Sequence, residues 1–534
     1  MKKRIPCAAI FLITFFILVV LPVQSQTVYH DASNRAIYEF LDELSNEGII
    51  QTSTVVKPYS RRFIAEKLQE AEKHTSQLNT RQIKELHFYL RDFGKEVYGG
   101  KFEHKRFDVL YYNDSVFTFS LNGILGAQFW NNENGFNYHR WYGGEVFAYA
   151  GKTLGVYASL RDNTEKLVIS DTGMITTRPG GKYRSGDYSE MRGGITLSWK
   201  WGTVGLVKDR MEWGTSYNYP NIISTKAPSF AHLKLHLYPA KWFEFNYIHG
   251  WLVSEVVDSS RSYNYNGVQR DVFHGKYMAA NLFTFKPWQK INFSLGNSVI
   301  YSDIGVHPAY LIPVFFYKSV DHSYNGNTNE AGQNSQMFFD ISFRMVPKLH
   351  LYYTMFVDVL SFGSVFDSET HANHWSMQGG FRLTNLLPNT VFTAEYTRTN
   401  PLTYKNDVTT TLYNSNWYNM GHYLNDNARG IYLSSDYKFS ARLQAKAWFV
   451  LHQKGPDYPY IREAGEVLGV PYMESVEWQQ QLLGIRLSTQ LMNDFFAFAQ
   501  AEVQNTSGNS DQYLAPYFRG NLLNLSVGLN FGFY

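Results

Sequence analysis

Cysteine is nearly absent: the 534 residues contain one, Cys7. A chain this long with a single cysteine has no intrachain disulfide and no thiolate metal cluster, and Cys7 stands too early to be a lipidated mature terminus. Long apolar runs are missing as well. Beyond residue 25 none approaches the roughly 18 residues a membrane-crossing helix needs, which excludes a bundle of membrane helices. Charge is scarce, at 18% of residues, and balanced. With Lys2, Lys3 and Arg4 set aside, 46 basic residues face 46 acidic ones, so nothing here draws in nucleic acid. Disorder is excluded by 44% hydrophobic residues at so small a net charge.

What the sequence does contain is aromatic rings, 17% of all residues, and a leader. Lys2 to Arg4 make a charged n-region, Ala8 to Leu21 an apolar core, and Val23-Gln24-Ser25 a small-residue cleavage site. Residues 1–25 therefore read as a signal peptide, with Gln26 as mature start.

Residues 26–100 read as a small helical region. Ile37, Phe40, Leu41 and Leu44 recur at helical spacing after the candidate cap Ser33. Ser60 is placed to cap a second helix and Thr80 a third. Each helix has one apolar face, and the faces are expected to need a partner, the nearest being the mouth of the domain that follows.

From about residue 115 the period becomes 2. Leu154, Val156, Ala158 and Leu160 alternate with Tyr157, Ser159 and Arg161, and the same pattern returns in 190–201, 291–296, 441–449 and 483–488. Alternation alone also suits a soluble sandwich. The turn spacing decides: short connections are expected near Gly151, Gly202, Ala240, Pro287, Pro347, Leu387, Phe439 and Thr489. Longer polar stretches at 127–142, 163–187, 211–229, 253–272, 302–335, 400–428, 453–475 and 505–519 lie between them. Short turns at one end and long loops at the other define a transmembrane barrel with an apolar outside and a polar inside. The expectation for 101–534 is an all-β barrel of about 18 antiparallel strands, closed so that no edge meets lipid. Its last strand alternates Leu523, Leu525, Val527 and Leu529 with Asn524, Ser526 and Asn530, and ends on Tyr534, the kind of terminal strand that barrel-assembly machinery receives. Partners expected on this basis are outer-membrane lipid and that machinery, with the helical region on the periplasmic side and the long loops outside.

Chemistry-bearing patterns are thin. Arg178-Pro179-Gly180-Gly181 does not have phosphate-loop spacing. His371 and His374 read as a solvated pair rather than a metal site, and Asp209 with Glu212 lacks the fixed geometry of a hydrolytic pair. No catalytic residues, metal or cofactor are expected. Lumen-facing Arg161, Glu190, Arg192, Glu244, Arg442, Lys446 and Arg486 are expected to pair across the interior and narrow it. Aromatic side chains in or beside the long stretches are the better candidates: Trp130, Trp141, Tyr142, Tyr217, Tyr219, Tyr404, Trp417 and Tyr418, with Tyr263, Tyr265, Tyr413, Tyr458 and Tyr460 near them. Flat rings among amides suit sugar faces, since the ring covers C–H groups while the amides take the hydroxyls.

At Lys208-Asp209-Arg210-Met211-Glu212-Trp213-Gly214, with Ile222 to Pro228 after it, the sequence resembles the Wzi family of capsule-assembly outer-membrane proteins. Asp209, Arg210, Trp213 and Gly214 carry the resemblance, and Ala36 to Leu41 with Lys57 to Ser60 look like members that begin with a helical region. Thr215-Ser216 and Lys226 depart from the family pattern. The resemblance implies an eighteen-stranded barrel with a periplasmic helical element that holds capsular polysaccharide at the surface. The reading is a non-enzymatic barrel binding or organising surface polysaccharide. A passive porin or solute channel, and a surface adhesion or motility component, are the alternatives.

Overall fold

The computed structural model describes residues 26–53, 55–98, 108–181, 186–288, 290–320, 333–463 and 466–532. The leader with Cys7, the Gly99-Gly100 boundary and Tyr534 lie outside them.

Three helices come first: α1 (Arg35–Asn46), α2 (Arg61–Glu72) and α3 (Thr80–Phe93). Ser60 caps α2 as expected, its Oγ accepting from the Phe63 amide at 3.1 Å. The cap of α3 is Asn79 rather than Thr80, in a reciprocal capping box with Gln82, and α1 starts after Asn34 rather than Ser33. Ile37, Phe40, Leu41 and Leu44 of α1 bury against Ile64 and Leu68 of α2 and Leu86, Leu90 and Phe93 of α3. Each such side chain contributes about 1.5–3 kcal/mol on burial. The apolar faces thus satisfy one another, and the expectation that they need the barrel mouth is corrected.

Eighteen antiparallel strands close into one barrel. The first, Phe117–Asn132, pairs with the last, Leu522–Phe531, through Leu125↔Phe531 to Asn131↔Leu525. A four-residue strand, Leu110–Asn113, continues the seam beyond Phe531 by pairing with Thr118 to Leu121. Along the last strand Leu525 is 48% exposed and Asn524 4%. A wall with apolar side chains outside and polar ones inside belongs in lipid. Trp201, Trp242 and Trp288, exposed at one rim, sit where interfacial girdles form.

The short turns gather at one end and the long loops at the other, with three differences from expectation, the first an unforeseen long connection over residues 360–373. Residues 127–142 are no loop: Phe117–Asn132 and Gly135–Ala150 are sixteen-residue strands joined at Glu133-Asn134. The turn placed near Thr489 is Asn493-Asp494, because strand Trp478–Met492 runs on past it. The first pair outruns the apolar band, where alternation fades because the outer face no longer meets lipid; in the second, Gln490 is still buried and Leu491 still exposed past Thr489.

The helical region covers the short-turn end through charged contacts. Lys438 Nζ lies 2.8 Å from Glu43 and 2.9 Å from Glu85. Arg81 joins both carboxylates, and its Nε donates to Asn389 in a short turn. Asp42 takes Arg344 at 2.9 Å and Arg382 at 3.6 Å. Burial opposes ionisation of Asp42 and Glu43, but Arg344 and Arg382 at the first, and Lys438 and Arg81 at the second, outweigh it and hold each carboxyl at about 2.

Candidate functional site

The stretch 210–229 does not stay at the long-loop end. It folds into the lumen and meets the helical region there, and the Asp209-to-Gly214 motif makes the turn. Asp209, at the end of strand Gly202–Asp209, takes a forked hydrogen bond from Arg192 at 2.8 and 3.1 Å and one from the Tyr157 hydroxyl at 3.0 Å. Arg192 also reaches Asp31 ahead of α1 at 2.8 Å, and Arg210 pairs with Glu190 at 2.8 Å. Glu212 takes Arg35 in two bonds, 2.5 and 3.1 Å, and Lys57 at 3.3 Å. Burial alone would raise its carboxyl, but Arg35 and Lys57 prevail and keep it below the usual range. Asp209 and Glu212 are thus each engaged by cations of their own, Arg192 at the first and Arg35 with Lys57 at the second.

Trp213 and Glu212 form a two-residue ladder with Val56 and Lys57. Gly214 follows at φ +105°, donating its amide to the Val55 carbonyl at 2.8 Å; a side chain would be strained at that dihedral angle. The chain then crosses to the opposite wall. The Thr215 amide donates to Asp340 at 2.7 Å, the Tyr217 amide to Glu395 at 2.9 Å, and the Tyr217 hydroxyl to Asp42 of α1 at 2.7 Å. The Arg382 guanidinium lies 4.2 Å over the Tyr217 ring. One loop therefore joins the barrel wall to the helical region through the middle of the lumen.

The stretch 400–427 fills the lumen beside it. Tyr404, Tyr413, Tyr418 and Met420 bury against Trp213, Ile222, Ile223 and the inward Phe338 and Phe356. The Tyr404 and Tyr413 hydroxyls donate to the Asn221 and Ile222 carbonyls at 3.0 and 2.9 Å. Tyr418 is 1% exposed and donates to the Ser170 carbonyl at 2.9 Å. Lys226 lies over its ring, and burial lowers that ammonium to about 7. These rings are the core of a plug and not a display for ligand.

The other aromatic candidates also differ from expectation. Trp130, Trp141 and Tyr142 stand on strands. Trp130 points inward under the Arg178 guanidinium, 5.0 Å from its ring centre. Trp141 packs on His139 at 4.7 Å and fills the space a side chain at Gly126 would take. Tyr142, 58% exposed, faces outward with the lipid-facing side chains. Tyr219 is half-buried against Tyr423, and Trp417 is half-buried at φ +64°. Exposed rings in the long loops include Tyr263 and Tyr265, 56% and 60% exposed on the hairpin Tyr263–Tyr265/Val268–Arg270, together with Phe362 and Phe366. The last two were missed, since nothing in Ser361-Phe362-Gly363-Ser364 marks a projecting loop.

Of the charged residues, Arg161 pairs with Glu190, Arg192 with Asp209, Glu244 with Lys286 and Lys446 with Asp436, each on a neighbouring strand of the wall and not across the interior as expected. Arg486 lies 3.7 Å from the Phe498 ring centre. Arg442 does not face the lumen: it is exposed in a short turn, bonded to the Leu491 carbonyl. His371 is exposed beside Asp367 at 3.2 Å while His374 is buried. Among the described residues no group of three or more metal-ligating side chains forms.

Comparison with solved structures gives a match along nearly the whole chain. It is to Wzi, an outer-membrane protein involved in group 1 capsule assembly in Escherichia coli and solved as a carbohydrate-binding β-barrel. The TM-score is 0.56 at 11% identity, over 95% of this chain and 100% of that one. The fold is the Wzi fold. Pseudomonas aeruginosa OccD3 (OpdP) matches at a TM-score of 0.44 and 11% identity, over 78% of this chain and 91% of that one. OccK3 (OpdO) of the same organism matches at 0.41 and 10%, over 77% and 95%. No protein-family model and no curated protein matches the chain. A Wzi-like barrel of eighteen strands, like those of outer-membrane proteins, thus carries a lumen filled by two of its own loops and joined to the helices below.

Proposed function

We propose that this Wzi-like barrel is a non-enzymatic outer-membrane protein that holds or organises polysaccharide at the cell surface, with its long loops outside and its helical region in the periplasm. The observation that carries this reading is the plug. A loop tied by Asp209, Arg210, Glu212 and Tyr217 to both wall and helices is a built-in obstruction, which favours a binding platform over an open pore. The carbohydrate-binding character of the structurally similar Escherichia coli Wzi supports the choice of ligand. Of the free rings, Tyr263 and Tyr265 suit sugar faces, each adding about 0.5–1.5 kcal/mol per stacked contact if it behaves like an aromatic pair. Repeated weak contacts along a polymer reinforce one another.

The test is retention. Cells lacking the chain should release polysaccharide into the medium, the wild-type gene should restore retention, and Tyr263→Ala with Tyr265→Ala should restore it only in part at equal barrel levels. Full retention in cells without the chain sinks the reading. Surface adhesion stays as a second reading because Val314, Phe316, Phe362 and Phe366 are exposed in the long loops, more apolar surface than a sugar needs.

A further inference from the structure

The plug does not fill the lumen evenly. It packs against the walls that carry Phe338, Phe356 and Glu395, and leaves a cavity of about 570 Å³ along the wall formed by strands Trp478–Met492, Phe495–Gly508 and Leu522–Phe531. Phe496 lines it near the short turns and Gln504 near the long loops. Eight residues separate them, about 26 Å of strand, so the cavity is a column rather than a pit. Leu514, Ala515 and Phe518 bound it toward the loops, and the segment from Asp31 to Glu39 toward the helices.

Neutral amides and flat rings make up much of the column's wall, with Arg486 and Glu502 among them. Gln480, Gln500, Gln504, Asn524, Ser526 and Asn530 line it, and Trp130, Phe496, Phe498 and Phe518 stand among them. Gln480 donates to Gln504 at 3.2 Å and Gln504 to the Phe518 carbonyl at 2.6 Å. On the last strand, however, three polar atoms face inward without a protein partner: Asn524 Nδ2, Ser526 Oγ and Asn530 Oδ1, on residues 4%, 4% and 8% exposed. Buried polar groups normally find partners, and leaving one unmade costs about 1–3 kcal/mol. A donor, a hydroxyl and an acceptor are thus offered along one line. Four cations at the column are engaged elsewhere, Arg35 by Glu212, Arg178 by Glu165, Arg210 by Glu190 and Lys446 by Asp436, and a fifth, Arg486, lies over the Phe498 ring on the strand next to that of Glu502. No uncompensated field calls for an anion.

We infer that the column is a second binding site, for an uncharged, linear, polyhydroxylated chain such as a neutral oligosaccharide, held by Asn524, Ser526 and Asn530 with its C–H faces against Phe496. The inference rests on the polysaccharide reading for its ligand class but places the contact inside the barrel and not on the loops. The full chain in an amine-oxide detergent, which brings no sugar headgroup, is titrated with maltohexaose and with hexagalacturonate, and binding is read by saturation-transfer NMR. Saturable binding of the neutral chain only is expected. In Ser526→Cys the binding should persist, and modification of that thiol with a small methanethiosulfonate should weaken it about tenfold or more. Equal binding of the acidic chain, no saturable binding, or binding indifferent to the modification would overturn the inference. So would a thiol the reagent never reaches, read by mass spectrometry. If modified and unmodified proteins bind alike while the Tyr263→Ala, Tyr265→Ala cells release polymer, the column fails and the surface reading stands; the opposite pair of results fails the surface reading alone.

Discussion

Lys438→Met should loosen the helical region from the barrel. Among the described residues Lys438 is the one barrel cation that bridges Glu43 of α1 and Glu85 of α3, at 2.8 and 2.9 Å, and all three side chains are less than a tenth exposed. Methionine keeps the stem and removes the charge, leaving two carboxylates to share Arg81. Breaking a buried ion pair from one side costs about 3–5 kcal/mol. Relief comes from Glu85, whose carboxyl burial already holds above its usual range, with Glu43 adding repulsion against the pull of Lys438. The expected loss is therefore near the lower bound, about 3 kcal/mol. In a unit of this size each kcal/mol moves the midpoint by roughly 4–8 °C, so the helical transition followed by circular dichroism at 222 nm should drop by about 12 °C or more. Adding Glu43→Gln should restore at least about 1 kcal/mol, because it removes the charge left without Lys438. A single mutant melting within about 5 °C of wild type, or a double mutant no better than the single, would refute the claim that this network docks the helices.

Acid should act on the same contact. Asp42 and Glu43 titrate at about 2 in the folded chain against 3.8 and 4.5 when free, so their contribution is complete above about pH 4.5 and fades as pH falls toward 2; protease sensitivity of the helical region should rise across that window. Tyr418→Ala should destabilise the folded barrel by about 3 kcal/mol, as cavity-forming substitutions of large side chains do, before it affects any ligand, which thermal unfolding in detergent will show. Val527→Lys on the outward face should cost about 2–4 kcal/mol near the bilayer midplane, seen as a lower fraction of folded barrel in urea titrations. Arg270→Cys should react with an impermeant maleimide on intact cells and Lys241→Cys only after permeabilisation; the reverse pattern would invert the proposed orientation.

The barrel was legible because lipid imposes a rule on every strand. Leu523, Leu525, Val527 and Leu529 are apolar since they face lipid, whatever the loops do, and that is why strand number and the sorting of short and long connections could be read. Where the rule lapses, so did the reading. Asn132, Asn137, His139 and Arg140 lie on strand extensions beyond the apolar band and looked like loop. The lumen was harder. A tyrosine packed in a plug and one waiting for a sugar sit in the same setting of Asn, Ser and Gly, so Tyr404 and Tyr418 could not be told from Tyr263 and Tyr265. Only burial separates them, and burial follows from a loop turning inward. The signal for that turn was present at Asp209 to Gly214, where three charged side chains, Asp209, Arg210 and Glu212, crowd a motif with Trp213. Its partners, Asp31, Arg35, Lys57 and Arg192, are scattered along the chain, and spacing alone could not gather them. The helices failed in a different way: their apolar faces were seen, but that three short helices suffice to bury one another was not.

The central claim is that this barrel is filled rather than open, and single-channel recording of the intact chain in planar bilayers tests it most directly. No stable conductance of porin size is expected. Stable, long-lived openings of that size in the wild-type protein would contradict it, and with it the reading of a binding platform.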